Sequence, residues 1–143
     1  DLLLEHGISS QVWSVTSYIE LARELRDIDR QNLLNVEEDH LVSYVGECLE
    51  GDRPVIAASD YVKAVPEQLR SAIQAPYHVL GTDGFGRSDT REKLRQFFEV
   101  NHQFIAYTAL VKLYEIGVCE KKMLTDFKKE FDIDSDKPNP RLA

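Results

Sequence analysis

Little in these 143 residues suits a membrane, a disulfide scaffold or a nucleic-acid surface. No apolar run approaches the ~18 residues a membrane span requires, and "DLLLEHGI" at the start is too short, with no basic flank, to be a signal peptide. Only two cysteines occur, Cys48 and Cys119, far apart and each inside a helical pattern. A reduced, cytoplasmic setting is the simpler reading of them. Basic side chains are outnumbered, 17 against 25 acidic, for a net charge of -8. Phosphate backbones need a concentrated basic face, and in "CEKKMLTDFKKEF" the lysines alternate with acids as on a solvated helix. The four histidines, His6, His40, His78 and His102, share no metal-ligand spacing with one another or with the cysteines. "DIDSDKPNP" copies the alternating aspartates of a calcium loop at Asp132, Asp134 and Asp136. It then has Lys137 where the turn glycine belongs and Ala143 where the bidentate glutamate belongs. No nucleophile elbow, internal repeat or low-complexity linker is present.

What is there reads as one α/β domain over residues 1–143. Hydrophobic residues make up 43% of the chain, enough for a core. Leu2–Gly7 has the form of the last turns of a helix with Gly7 as its stop, so the chain is expected to begin inside an element of something longer. "QVWSVTS" (11–17) predicts a strand. "YIELARELRDIDRQNLL" predicts a helix with a fraying tail, and "EEDHLVSYVGECLEGD" a second helix ending at Gly51. "RPVIAASDY" and "YHVLGTD" are strands, the first apolar enough to be buried on both faces, with a helix over "VKAVPEQLRSAI" between them. Three helices follow: one begun by a capping box of Asp89 and Glu92, one capped by Asn101 and stopped at Gly117, and one over "EKKMLTDFKKEF". Alternating strands and helices predict a three-layer α/β/α domain with a mostly parallel sheet.

One stretch, "HVLGTDGFGRSDTREKLRQFFEV", has the outline of a phosphate loop: strand, glycine turn, helix start. Its details argue otherwise. The glycines Gly81, Gly84 and Gly86 lack dinucleotide spacing. Gly86-Arg87-Ser88 has arginine where a Walker loop needs lysine, and Asp83 sets a negative charge beside any phosphate. A tight turn, with glycines supplying positive φ or close backbone approach, is the plainer reading. In it Asp89 caps the next helix, and Phe85 and Arg87 project from an exposed turn at the C-terminal edge of the sheet. Arginine's fork of donors there suits a carboxylate across an interface.

The same stretch closely resembles the C-terminal domain of the homodimeric bacterial pyruvate dehydrogenases. "VWSVTSYIELARE", "ASDYVKAVPEQLR" and "FDIDSDKPNPRLA" resemble further segments of that family in the same order. The resemblance covers nearly the whole chain, and "GTDGFGRSD" is a specific match. It implies a transketolase-type C-terminal domain, with an additional strand and the start of a helix upstream. It also implies a parent enzyme that decarboxylates pyruvate on thiamine diphosphate with magnesium and passes the two-carbon unit to the lipoyl acetyltransferase core of the pyruvate dehydrogenase complex. Cofactor and metal would lie between two other domains across a homodimer interface, so none is expected on this chain, and no catalytic residue carries over. The residues expected at a subunit contact or active-site entrance are Asp83, Gly84, Phe85, Gly86, Arg87, Ser88 and Asp89. An assembly module, or the matching domain of another thiamine-dependent enzyme, is the alternative.

Overall fold

In the computed structural model, which describes residues 1–143, two short strands form the centre: β1 (Val55–Ala58) and β2 (Tyr77–Leu80). They pair in parallel, Val55 opposite Tyr77 and Ala58 opposite Leu80. Parallel pairing needs a crossover rather than a hairpin. Here the expected helix is a 3-10 helix, Pro66–Ala72, with Pro66 at its start. The short crossover is tied to β2 by side chains. The Tyr77 hydroxyl donates to Pro66 O (2.9 Å), and Arg70 donates to Tyr77 O (2.9 Å) while gripping the Glu67 carboxylate at 2.7 and 2.8 Å. Burial pushes the Tyr77 phenol above its ordinary value, so it remains a donor.

Helix α1 (Leu2–Glu5) is followed by α2 (Tyr18–Leu34) and α3 (Tyr44–Cys48). Ser17 caps α2 by accepting from Glu20 N–H, and Ser43 caps α3 by accepting from Gly46 N–H. Ala22 and Leu25 of α2, Val45 of α3, and Leu69 and Ile73 of the crossover close over Ala57, Tyr77 and Val79 of the strands in one apolar cluster. Beyond the sheet come α4 (Arg91–Phe97), α5 (His102–Glu115) and α6 (Lys121–Glu130). Ala106, Leu110 and Phe127 form a second cluster, against which Leu2, Leu3, Met123, Leu124 and Ile133 pack. The apolar start of the chain is thereby explained. Gly7 (φ +75°) follows α1, with Gly7 N–H bonded to Leu4 O and Ile8 N–H to Leu3 O, a Schellman stop as expected.

Three expectations are corrected. Residues 11–17 are not a strand but irregular and mostly exposed, with Val12 93% accessible. β-branched residues supply propensity, but a strand exists only where a neighbour takes its backbone groups. The sheet therefore has two strands. The helix expected over 37–52 is reduced to α3, because the Asn32 side chain holds Leu41 N–H and Leu41 O at 2.8 and 2.9 Å in a loop that excludes helix there. The tail of α2 does not fray: it runs regularly to Leu34.

His78 lies on β2, where burial, reinforced by Lys112 and Lys63, holds its imidazole below the ordinary value. A depressed histidine is neutral in both states above about pH 6.5, whereas below that the unfolded chain takes the proton more readily. Stability should therefore fall as pH drops through about 6.5, and His78→Gln should flatten that fall. Urea midpoints across the range check this; an equal slope in the variant would contradict it.

Candidate functional site

The two strand exits lie side by side, because parallel strands leave the sheet at the same edge. Ser59 N–H bonds Leu80 O (3.0 Å) and Thr82 N–H bonds Tyr61 O (2.9 Å), so the pairing continues irregularly past β1 and β2. Thr82 Oγ1 donates to Asp60 O (3.0 Å), and Asp83 Oδ1 accepts from Lys63 N–H (2.9 Å). Gly81 is buried in this seam. A Cβ there would stand 2.7 Å from Tyr61 O and 2.9 Å from Lys63 N. Close backbone approach, not a ligand, requires that glycine.

Gly84 is required twice over. Its φ is +117°, and a Cβ would come within 2.7 Å of Pro140 O, where the C-terminal residues cross the loop. Gly86 has neither constraint: a side chain there would meet nothing within 4 Å. Gly81 and Gly86 stand five positions apart, the spacing of the two Walker glycines. The seam accounts for Gly81 on packing grounds, and Asp83 already spends a carboxylate oxygen on Lys63.

Phe85 projects, 81% exposed. Arg87 is exposed but not free-standing: its guanidinium carbon sits 4.1 Å above the Phe97 ring. Such a stack is worth about 0.5–1 kcal/mol at an exposed site and leaves the edge of N–H donors available. Ser88 is exposed beside it. The expected cap is displaced by one residue. Thr90, not Asp89, is the N-cap of α4, its Oγ1 accepting from Lys93 N–H (3.4 Å). Asp89 instead accepts from the adjacent Thr90 N–H at 2.7 Å, so no capping box with Glu92 forms. Arg87, Ser88, Asp89, Lys93, Leu94 and Phe97 line a shallow cleft of about 270 Å³. That is below the usual range of small-molecule sites, about 300–1,000 Å³, and suits a single protruding side chain better than a cofactor.

The structure adds residues that the sequence did not single out. Asp60, at the exit of β1, receives Arg95 at 3.0 Å and Arg91 at 3.8 Å, which anchors α4 over the seam. Arg91 and Arg95 are four apart, on one helix face, which was the available signal. Lys137 reaches back from the C-terminal residues to the end of α4.

The remaining candidates do not assemble. No three His, Cys, Asp or Glu side chains converge as metal ligands. Asp134 accepts from Asp136 N–H in a local turn. Cys119 lines a cavity of about 610 Å³ with His6, Ile8 and Met123, but burial pushes its thiol up, away from the reactive thiolate. The residues present thus do not fit a magnesium–diphosphate group, which needs clustered oxygen ligands and donors aimed at phosphate.

Parallel strands around a crossover, with helices packed on them and a glycine turn at the strand exits, make an α/β domain. Residues 1–101 match the transketolase-like TK C-terminal domain family, and the chain belongs to that family. Over 143 residues it is 46% identical to the pyruvate dehydrogenase E1 component of Escherichia coli (strain K12), covering 99% of this chain and 16% of that protein. It is also 46% identical over 135 residues to the pyruvate dehydrogenase E1 component of Cupriavidus necator, covering 94% of this chain and 15% of that one. The Pseudomonas aeruginosa protein of the same name is 45% identical over 138 residues, 95% of this chain and 16% of its own. The similarity to these proteins extends past residue 101 through α5 and α6. No helix is long and apolar enough to cross a membrane.

Gly81→Ala should destabilise by about 1–3 kcal/mol through overpacking, and Thr90→Ala by about 1 kcal/mol through the lost cap. Asp89→Ala, which removes only a bond to its neighbour's N–H, should cost less than Thr90→Ala. Denaturation midpoints rank the three; Asp89→Ala costing more than Thr90→Ala would show that the cap is misassigned.

Proposed function

We propose that residues 1–143 act as one domain of a pyruvate dehydrogenase, contributing subunit contacts and part of the active-site entrance. The observation that carries this is 46% identity over 99% of the chain to a protein named pyruvate dehydrogenase E1 component. The chain spans about one sixth of that protein's length, 16%. The parent enzyme, on this reading, is a cytoplasmic homodimer that decarboxylates pyruvate with thiamine diphosphate and magnesium, and acetylates lipoyl groups on the acetyltransferase core of the complex. Thiamine diphosphate supplies the carbanion chemistry. It is held by parts of the enzyme other than these residues.

The surface of the chain supports a contact role. Its accessible area is 10033 Å² for 16.4 kDa, about a third above the ~7,500 Å² of a compact monomer of that mass. Val12, Trp13, Leu33, Val36 and Phe85 are all more than half exposed, a cost that partner surfaces would offset. The glycine loop fits the same role. Asp83 and Asp89 oppose a phosphate, whereas phenylalanine and arginine are both among the residue types enriched at protein interfaces.

In the full-length enzyme, Arg87→Ala should weaken the dimer, or lower pyruvate turnover, by at least about ten-fold, equivalent to ~1.4 kcal/mol. Its melting temperature should stay within a few degrees of the parent's. Unchanged dimer affinity and turnover would reduce the loop to a turn. The 143-residue chain alone should show no saturable binding of thiamine diphosphate with magnesium in calorimetry, where the full-length enzyme does. Micromolar binding by the short chain would overturn the placement of the cofactor.

A further inference from the structure

Residues 133–143 belong to no helix or strand, yet they are fixed at three points. At the first, Ile133 N–H bonds Lys128 O (2.9 Å) and its side chain packs on the Ala106–Leu110–Phe127 cluster. At the second, the Lys137 ammonium donates to Gln96 O (2.9 Å) and Phe97 O (2.6 Å) and lies 3.3 Å from Glu99 Oε1. Three donors meet three acceptors: Phe97 O has no backbone partner at the end of α4, and Gln96 O otherwise accepts only Glu99 N–H at 3.3 Å. At the third, Pro140 and Arg141 cross over Gly84 so closely that only a residue without a Cβ fits. Asn139 holds that crossing in shape, its side chain accepting from Arg141 N–H (3.0 Å) and its carbonyl from Leu142 N–H (2.9 Å).

Two further observations tie this segment to the glycine loop. Glu99 has φ +61° at the position after α4 where glycine is usual. The strained residue places a carboxylate against Lys137, which glycine could not do. Phe97 is shared by the two cations: Arg87 stacks on its ring at 4.1 Å, and the Lys137 ammonium is 5.7 Å from the centre of the same ring. Residues 84–90 are otherwise exposed throughout, so within the chain the loop has few supports besides Phe97 and the C-terminal crossing.

We propose that the C-terminal segment is a latch on the glycine loop: Lys137 pins it to the end of α4, and Pro140–Arg141 seat on Gly84, so that segment and loop open together. The latch does not depend on what the loop contacts. It does imply that Phe85 and Leu142, 81% and 76% exposed, are displayed from one jointly held surface. Coupling of this kind is reciprocal: releasing either part must loosen the other.

Limited trypsin cleavage of the full-length protein tests it, because the cleavage rate follows the open population when opening is fast. Lys137→Met keeps the apolar stem but removes the ammonium. It should raise the rate of cleavage after Arg87 about ten-fold, while cleavage after Arg26 and Arg30 of α2 stays unchanged. Lys137→Arg should retain most of the protection. From the other side, Gly84→Ala should raise cleavage after Arg141 by a similar factor. If Lys137→Met accelerates cleavage in α2 as well, the domain has unfolded. A chain ending at Asn139, which keeps Lys137 but loses the crossing, then decides: faster cleavage after Arg87 supports the latch. Cleavage after Arg87 that stays at the parent's rate once the segment is released, in either variant, overturns it.

Discussion

Parallel pairing of two four-residue strands is the constraint from which the rest of the architecture follows. A parallel pair must be joined by a crossover, and it delivers both strand exits to one edge. Those exits then run close enough that Gly81 cannot carry a side chain. The seam so formed gives α4 its anchor, since Asp60 at one exit receives Arg91 and Arg95 from the helix that follows the other. The glycine loop is held out from this edge because the seam behind it is filled.

The helix ends show the same economy of local rules under tertiary control. α1, α4, α5 and α6 each stop on a residue in the left-handed region: Gly7, Glu99, Gly117 and Asp132. The glycines stand where nothing but the backbone turn is required. Glu99 and Asp132 take the conformational cost of a Cβ, and both border the path of the C-terminal segment. For Glu99 the reason is visible, in the carboxylate it offers to Lys137.

Electrostatics separates the glycine loop from the phosphate loops it resembles. A phosphate cradle aims unoccupied N–H groups and a cation at one point. Here Asp83 is turned inward onto Lys63 N–H, Asp89 onto Thr90 N–H, and Arg87 lies flat on an aromatic ring. What remains exposed is the Phe85 ring with mixed charge around it.

Much of this was legible in the sequence, and the boundary has physical causes. The cap at Asn101 and the stops at Gly7 and Gly117 were legible because each is settled by residues within one turn, and "VIAA" and "YHVL" showed as apolar runs closed by turn residues, whereas the Ser17 cap lay inside a segment read as strand. The family was legible too, through "GTDGFGRSD" and the segments in register with it. The tertiary structure decided what depends on a distant neighbour. Residues 11–17 have strand propensity but no strand beside them, so their side chains could not make them one. Asp89 was the cap read from the sequence; in the fold Thr90 takes that place and Asp89 bonds the Thr90 N–H instead. Gly81, Gly84 and Gly86 look alike in sequence. Only the folded chain shows that the first accommodates Tyr61 and the second Pro140, while the third is unconstrained within it. Lys137, forty residues from its partners in α4, carries no sequence signal at all, because a lysine's acceptor is set by where the chain returns and not by its neighbours.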